Sequence, residues 1–345
     1  MPRFSENNAK SHLSIFERER ARCETSKMNS IKIFEIEKKP RKGLLAIEWI
    51  ILGYMVLTLL LALFMSTKIH NIDPIIWGRF RIAMMMLGLW VVYRLIPCRF
   101  TMFTRIALQL ILLGIWYPET FEFNRHFPNL DHLFAAHEQS ICGCQPALLF
   151  SQAISHPVFS ELMHLGYASY FPLIAIVTLF YFFRRYDEFL RAEFILLGAF
   201  FIYYVIFILL PVTGPQYYYL AAGFDQIANG VFPDMGNYFA THMEKATTPG
   251  WSEGFFYSLV EGMHDAGERP TAAFPSSHVG ITTILMFLAW RTRCKPLFWG
   301  MMPFYVLMCF ATVYIQAHYV IDVLAGWISA IVIYAVLLFL SKKFV

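Results

Sequence analysis

The chain alternates long apolar runs with short charged connections. A bilayer crossing takes roughly 20 apolar residues in a helix. Runs of about that length lie at 44–65, 77–97, 102–117, 163–183, 192–212, 277–290, 297–315 and 318–340. The pattern predicts an all-α integral membrane protein with about eight transmembrane helices. The third and sixth runs are short, and the sixth begins only where "FPSSH" ends. Pro172, Pro211 and Pro303 fit as kinks, because neighbouring helices re-satisfy the freed backbone. Residues 1–42 carry "ERERAR" and "EKKPRK" without sustained apolar periodicity, so they are expected to form a disordered or surface-lying tail. The remaining chain divides into N-terminal helices over 43–117, a loop at 118–162 and a second helical region over 163–345.

Lys and Arg near the span ends set the orientation. They fall at Lys38, Lys39, Arg41 and Lys42, at Arg94, Arg99 and Arg105, at Arg184, Arg185 and Arg191, at Arg291, Arg293 and Lys295, and at Lys342 and Lys343. With an even count of spans all these segments share one side, which is then cytoplasmic along with both termini. The loops 118–162 and 213–276 take the other side, and so do His278 and His318. Composition agrees with a membrane protein: 57% of residues are hydrophobic and 34 are Phe. A net charge of +4, with no basic stripe interleaved with aromatics, excludes a nucleic-acid binder. Of the 6 Cys only one pair is close together, so no disulfide framework defines the fold.

Two histidines and a carboxylate therefore come to one depth from elements distant in sequence. His318 and Asp322 are four positions apart, and on a helix that spacing shares a face. A carboxylate bonded to one imidazole nitrogen fixes the tautomer and leaves the other nitrogen as a nucleophile or base. Alternatively, such a pair only satisfies itself or relays protons in a transporter, as intramembrane His and Asp often do. The segment "FPSSHVG", 274–280, reads as a helix start with Ser276 and Ser277 at the cap. A helix N-terminus offers unpaired N–H groups and partial positive charge to a phosphate. Arg269 of "ERP" is a candidate phosphate clamp, or else an interfacial residue with its head in water.

"FPSSH" followed by "TVYIQAHYVIDVLAG" resembles the type 2 phosphatidic acid phosphatase superfamily, whose signatures read K-x6-R-P, P-S-G-H and S-R-x5-H-x3-D. The resemblance covers about 269–326 and implies a six-helix-type phosphatase core within 163–345. It also implies roles for three residues: His318 attacks phosphorus to form a phosphohistidine, Asp322 orients it, and His278 is the general acid. The departures are specific. Ser277 replaces the Gly of P-S-G-H, and Ala311-Thr312 replace Ser-Arg, so the phosphate-clamping Arg is absent. Arg269-Pro270 matches the end of the first signature, but Gly262 stands where Lys should, and Pro270 lies unusually close to Pro275. "LLPVTGPQYYY", 209–219, is a candidate for that signature in altered form.

These departures resemble the inositol phosphorylceramide synthase-like branch, whose third motif lacks the Arg. The resemblance implies transfer of a phospho-headgroup from a phospholipid donor to a lipid alcohol, ceramide or diacylglycerol, in sphingolipid biosynthesis. It implies no cofactor and no metal, and a bacterial inner membrane or Golgi membrane with the site on the extracytoplasmic or lumenal side. Arg269, Ser276, Ser277 and the amides of 277–279 are expected to bind the substrate phosphate. If water finishes the reaction instead, the enzyme is a lipid phosphate phosphatase. A separate cluster in "HFPNLDHLFAAHEQSICGC", 126–144, holds His126, His132, His137, Cys142 and Cys144. Its spacing matches no zinc signature, and it reads as a loop with a surface helix over the site mouth.

Overall fold

The computed structural model describes residues 33–69 and 72–345. Most of the expected tail, residues 1–32, lies outside the described residues. Residues 33–42 are described and held in place: the Glu37 amide donates to the Pro97 carbonyl at 2.7 Å, and Tyr93 Oη donates to its carboxylate at 2.7 Å.

From there the chain is helical, with α1 (Ala46–Phe64), α2 (Asp73–Leu95) and α3 (Arg99–Asn124) leading to α4 (Asp131–Cys142) and α5 (Pro146–Ala153). Next come α6 (Pro157–Ala168), α7 (Tyr170–Arg184), α8 (Tyr186–Leu209), α9 (Pro215–Ala222) and α10 (Phe224–Ala228). The chain closes with α11 (Phe255–Gly267), α12 (Ser277–Arg291), α13 (Lys295–Tyr314) and α14 (Val320–Phe344). No strand forms among the described residues, only an isolated bridge between Ile36 and Cys98.

Six helices, α1, α2, α3, α8, α13 and α14, are long and apolar enough to cross a membrane. The run expected at 163–183 is two helices, α6 and α7, bent by 45°, and they make a seventh crossing if counted as one. The run expected at 277–290 becomes α12, whose 15 residues reach only about 22 Å. That is short of the roughly 30 Å hydrocarbon layer.

Helix α8 is the centre of the bundle. Of its apolar window 78% is buried, against 22% for α2, and it packs on α1, α3, α7, α12 and α14. A helix apolar on every side can face lipid or neighbouring helices alike, and α8 carries "FILLGAFFIYYVIFIL" through the position neighbours surround.

The basic segments meet at one end of the bundle. Arg185 donates to the Thr292 carbonyl at 2.8 Å, Arg291 pairs with Glu188 at 3.1 Å, and Arg41 reaches the Val345 carbonyl at 3.3 Å. Beneath them the fully buried Arg105 of α3 grips Glu48 of α1 through two contacts of 2.9 and 2.5 Å. The opposite end carries the short helices α4, α5 and α9–α11 together with the start of α12, which holds His278, and the turn that holds His318.

Candidate active site

Ser276 starts α12: its Oγ accepts from the Val279 amide at 3.4 Å, and the next turn carries His278. The helix start is clamped on both sides. A Cβ on Gly280 would collide with the Tyr203 hydroxyl, and one on Gly326 of α14 would sit 2.8 Å from the Ser276 carbonyl. Only glycine allows α12, α8 and α14 to approach so closely here.

His278 lies between two tyrosine rings. Tyr167 stacks on it with centroids 4.6 Å apart, and Tyr170 lies at 4.5 Å. Both rings come from the α6–α7 break at Ser169, which presents residues on either side of the bend to one point. Pro172, three residues past the break, has no N–H to donate to the Ala168 carbonyl, so the helix parts there. A Cβ on Gly166 would press on the Leu307 backbone at 2.8 Å, so α6 lies flush on α13.

His318 sits in the turn between α13 and α14. The structure corrects the expectation that it shares a helix with Asp322: α14 starts at Val320, with Tyr319 as its cap. Asp322 is the third residue of that helix, and its Oδ2 accepts from the Tyr319 amide at 2.9 Å. A carboxylate there favours the helix dipole, which draws it toward the cap. His318 Nδ1 is 3.5 Å from Asp322 Oδ2, but it bonds the Ala273 carbonyl at 2.8 Å. A carbonyl only accepts, so this bond puts the proton on Nδ1 and the lone pair on Nε2. The His278 and His318 ring centroids are 5.8 Å apart.

The loops holding these groups are joined through backbone. The Ser276 amide donates to the Asp322 carbonyl at 3.0 Å, the Ala273 amide to Val212 at 3.0 Å, and the Gln216 amide to Gln316 at 2.8 Å. The segment 209–219 thus lies against both histidine loops. Ala272 and Gln316 take positive φ of 70° and 63° beside these bonds. Such conformations cost a non-glycine residue about 1–3 kcal/mol and persist only where the surroundings impose them.

The predicted phosphate contacts fare differently. Ser276 is fully buried with its hydroxyl used in the cap, whereas the partly exposed Ser277 hydrogen-bonds Tyr170. Arg269 is exposed, and its Nη1 contact is the neighbouring Glu268 carbonyl at 3.4 Å. The cluster over 126–144 is dispersed. His132 Nδ1 lies 3.6 Å from Asp234, His137 Nδ1 bonds the Leu133 carbonyl at 2.7 Å, and Cys142 and Cys144 are free thiols. Among the described residues no group of three or more His, Cys, Asp or Glu is arranged around a metal position.

That same segment supplies two carboxylates which sequence reasoning passed over. Asp131, fully buried, accepts from Asn129 Nδ2 (2.6 Å), the Thr213 amide (2.7 Å) and hydroxyl (2.9 Å), the Gly214 amide (2.8 Å) and Tyr319 Oη (3.0 Å). Burial raises its carboxyl above the ordinary range, and these donors work against that rise. Glu138, equally buried, accepts from the Ile321 amide at 3.3 Å and so caps α14 from outside. Burial is the main cause of its rise to about 7; the Ile321 amide opposes it and the Asp322 charge adds to it. The available signal was an Asn129-x-Asp131 pair ahead of a helix whose third and seventh later positions, Phe134 and Glu138, face the same way.

A family model described as the PAP2 superfamily matches residues 133–336, more than half the chain. The match takes in α5–α13 and most of α4 and α14, and so spans Glu138, Tyr167, Tyr170, His278, His318 and Asp322, while Asn129, Asp131 and His132 lie just before it. Searches of curated proteins and of solved structures return no match.

Proposed function

The chain belongs to the PAP2 superfamily, and from that premise we propose that it moves a phospho-headgroup, such as phosphoinositol, from a phospholipid to a ceramide or diacylglycerol hydroxyl. Membership makes it a phosphotransferase or lipid phosphatase acting on lipid substrates in the bilayer. The match is to the superfamily. The inositol phosphorylceramide synthase-like branch rests on "TVYIQAHYVIDV" and on Thr312 standing where the family's Arg would be.

One observation carries the reading. The two imidazoles lie 5.8 Å apart, and His318 has its Nδ1 occupied by the Ala273 carbonyl. In the proposed reaction His318 Nε2 attacks phosphorus, and the bond to the glycerol oxygen breaks. His278 gives its proton to the departing alkoxide, which leaves as diacylglycerol. The headgroup phosphate then rests on His318. His278 next takes the proton of the acceptor hydroxyl, whose oxygen attacks phosphorus and frees His318. The Asp322 carboxylate, 3.5 Å from Nδ1, stabilises the positive charge that develops on the ring.

The phosphate oxygens are assigned to the amides of Ser277 and His278 in the first turn of α12, with Arg269 at the rim. A phosphodiester carries less charge than a phosphomonoester, and this sparse set of cations suits it. The basic end of the bundle supports a cytoplasmic assignment for that end, which puts the histidines on the extracytoplasmic or lumenal side.

The test is a lipid-product assay with defined donors and added ceramide, beside His318→Ala. A new phosphosphingolipid, lost in His318→Ala with folding retained, is expected. Free phosphate from phosphatidic acid as the dominant product would replace the transferase by a phosphatase.

A further inference from the structure

A second group of buried polar atoms lies beyond the Tyr167 ring. His264 of α11 meets that ring edge-on, with centroids 5.6 Å apart, on a ring that also stacks against His278. His264 is 5% exposed and stands between two carboxylates, with its Nδ1 3.7 Å from Glu261 Oε1, and neither ring nitrogen makes a well-aligned hydrogen bond. Its Nε2 is 3.2 Å from Glu268 Oε2, without the angles a hydrogen bond needs. Gln216, 4% exposed, donates from Nε2 to Glu268 Oε1 at 3.1 Å, while its own Oε1 has no partner.

The position of Gln216 is imposed from both sides. Its amide bonds Gln316, two residues before His318, and its carbonyl accepts from Ala246 at 2.8 Å. Glu268 is also near enough to His318 to act on it electrostatically. A buried polar atom left without a partner has given up its hydration with nothing in exchange. Gln216 Oε1 has no partner, and His264 and Glu268 face each other without a well-aligned bond; beside a reaction centre these atoms mark a place that a ligand completes.

The chemistry of those atoms selects the ligand. Gln216 Oε1 and Glu268 Oε2 only accept, while His264 donates from one nitrogen and accepts at the other. Hydroxyl groups do both, and neighbouring hydroxyls on a polyol present both at once. A quaternary ammonium can donate to none of these atoms, and a second phosphate is repelled by Glu268. We propose that Gln216, His264 and Glu268 form a subsite for the polyhydroxyl headgroup of the donor lipid. This rests on the reading of the chain as a headgroup transferase, and it adds residues that select the headgroup.

The test is calorimetric binding to the full chain in detergent, with glycerophosphoinositol and glycerophosphocholine as soluble probes. Wild type, His318→Ala, Gln216→Met and Glu268→Gln are compared, with unfolding midpoints measured alongside. The polyol ester is expected to bind wild type and His318→Ala, and each of the other two variants is expected to weaken it at least ten-fold. Gln216→Met changes neither charge nor length, so it decides the matter if Glu268→Gln lowers the midpoint. Equal or tighter binding of the choline ester, no binding of the polyol ester, or an unchanged Kd in Gln216→Met overturns the subsite. Polyol binding to a wild-type protein that transfers no headgroup would sink the transferase reading and leave the subsite standing.

Discussion

Two buried carboxylates, Glu48 and Asp131, stand at opposite ends of the bundle and are satisfied by opposite means. Glu48, 1% exposed, faces the Arg105 guanidinium through two contacts and also accepts from the Leu45 amide at 2.8 Å. Asp131, 0% exposed, meets only neutral donors, drawn from α4's own entry, the 213–214 loop and Tyr319. The first arrangement cancels charge locally and locks two helices. The second spreads one charge over dipoles from separate loops and registers them beside His318. Charge pairing joins two helices; neutral donors register separate loops.

The largest expected effect comes from breaking the paired end. Arg105→Met leaves Glu48 as a buried, uncompensated charge and should cost about 3–5 kcal/mol in unfolding free energy. Adding Glu48→Met to that variant should recover most of the loss. If the double variant is no more stable than the single one, the pair does more than neutralise itself.

Asp131→Asn should have a smaller effect on stability, about 1.5–3 kcal/mol, because hydrogen bonds to a charged group are weakened and not all removed. Its turnover should fall further than its stability, since the turn holding Tyr319 and His318 loosens. A variant at each end matched in stability sharpens the contrast. If Asp131→Asn and a Glu48 variant of equal unfolding free energy keep equal turnover, the proposed division between the ends is wrong.

A third effect is a pH dependence at Glu138, confined to one pH window. Its carboxyl is raised from 4.5 to about 7, so the folded state holds a proton that the unfolded state has released. Its contribution is complete below pH 4.5 and is lost as pH rises through about 7. Glu138→Gln should flatten the unfolding midpoint across that window while leaving the slope outside it unchanged. Equal slopes in both proteins would remove Glu138 as the source.

Hydrophobic runs made α1, α2, α3, α8, α13 and α14 legible, because a membrane helix announces itself by length and composition. The α6–α7 bend was partly legible: Pro172 marks a kink within the run, whereas the close approach of Gly166 to Leu307 is a contact no local pattern records. The motif residues His278, His318 and Asp322 were legible as a set, and the structure brings them together. The geometry assigned to them was not, since a four-residue spacing assumes a helix that begins only after His318. Tyr167, Tyr170, Asp131 and Glu138 were missed for a common reason: each earns its place through a partner far away in sequence.

The bonds joining the histidine loops run from amides and carbonyls at Val212, Ala273, Ser276, Gln316 and Asp322. Main-chain atoms are the same in every residue but proline, so replacing a side chain leaves this stitching intact. Replacements at Ser277 and Thr312 can therefore leave one imidazole in place relative to the other. The frame is built of backbone, and the side chains on it can change without dismantling it.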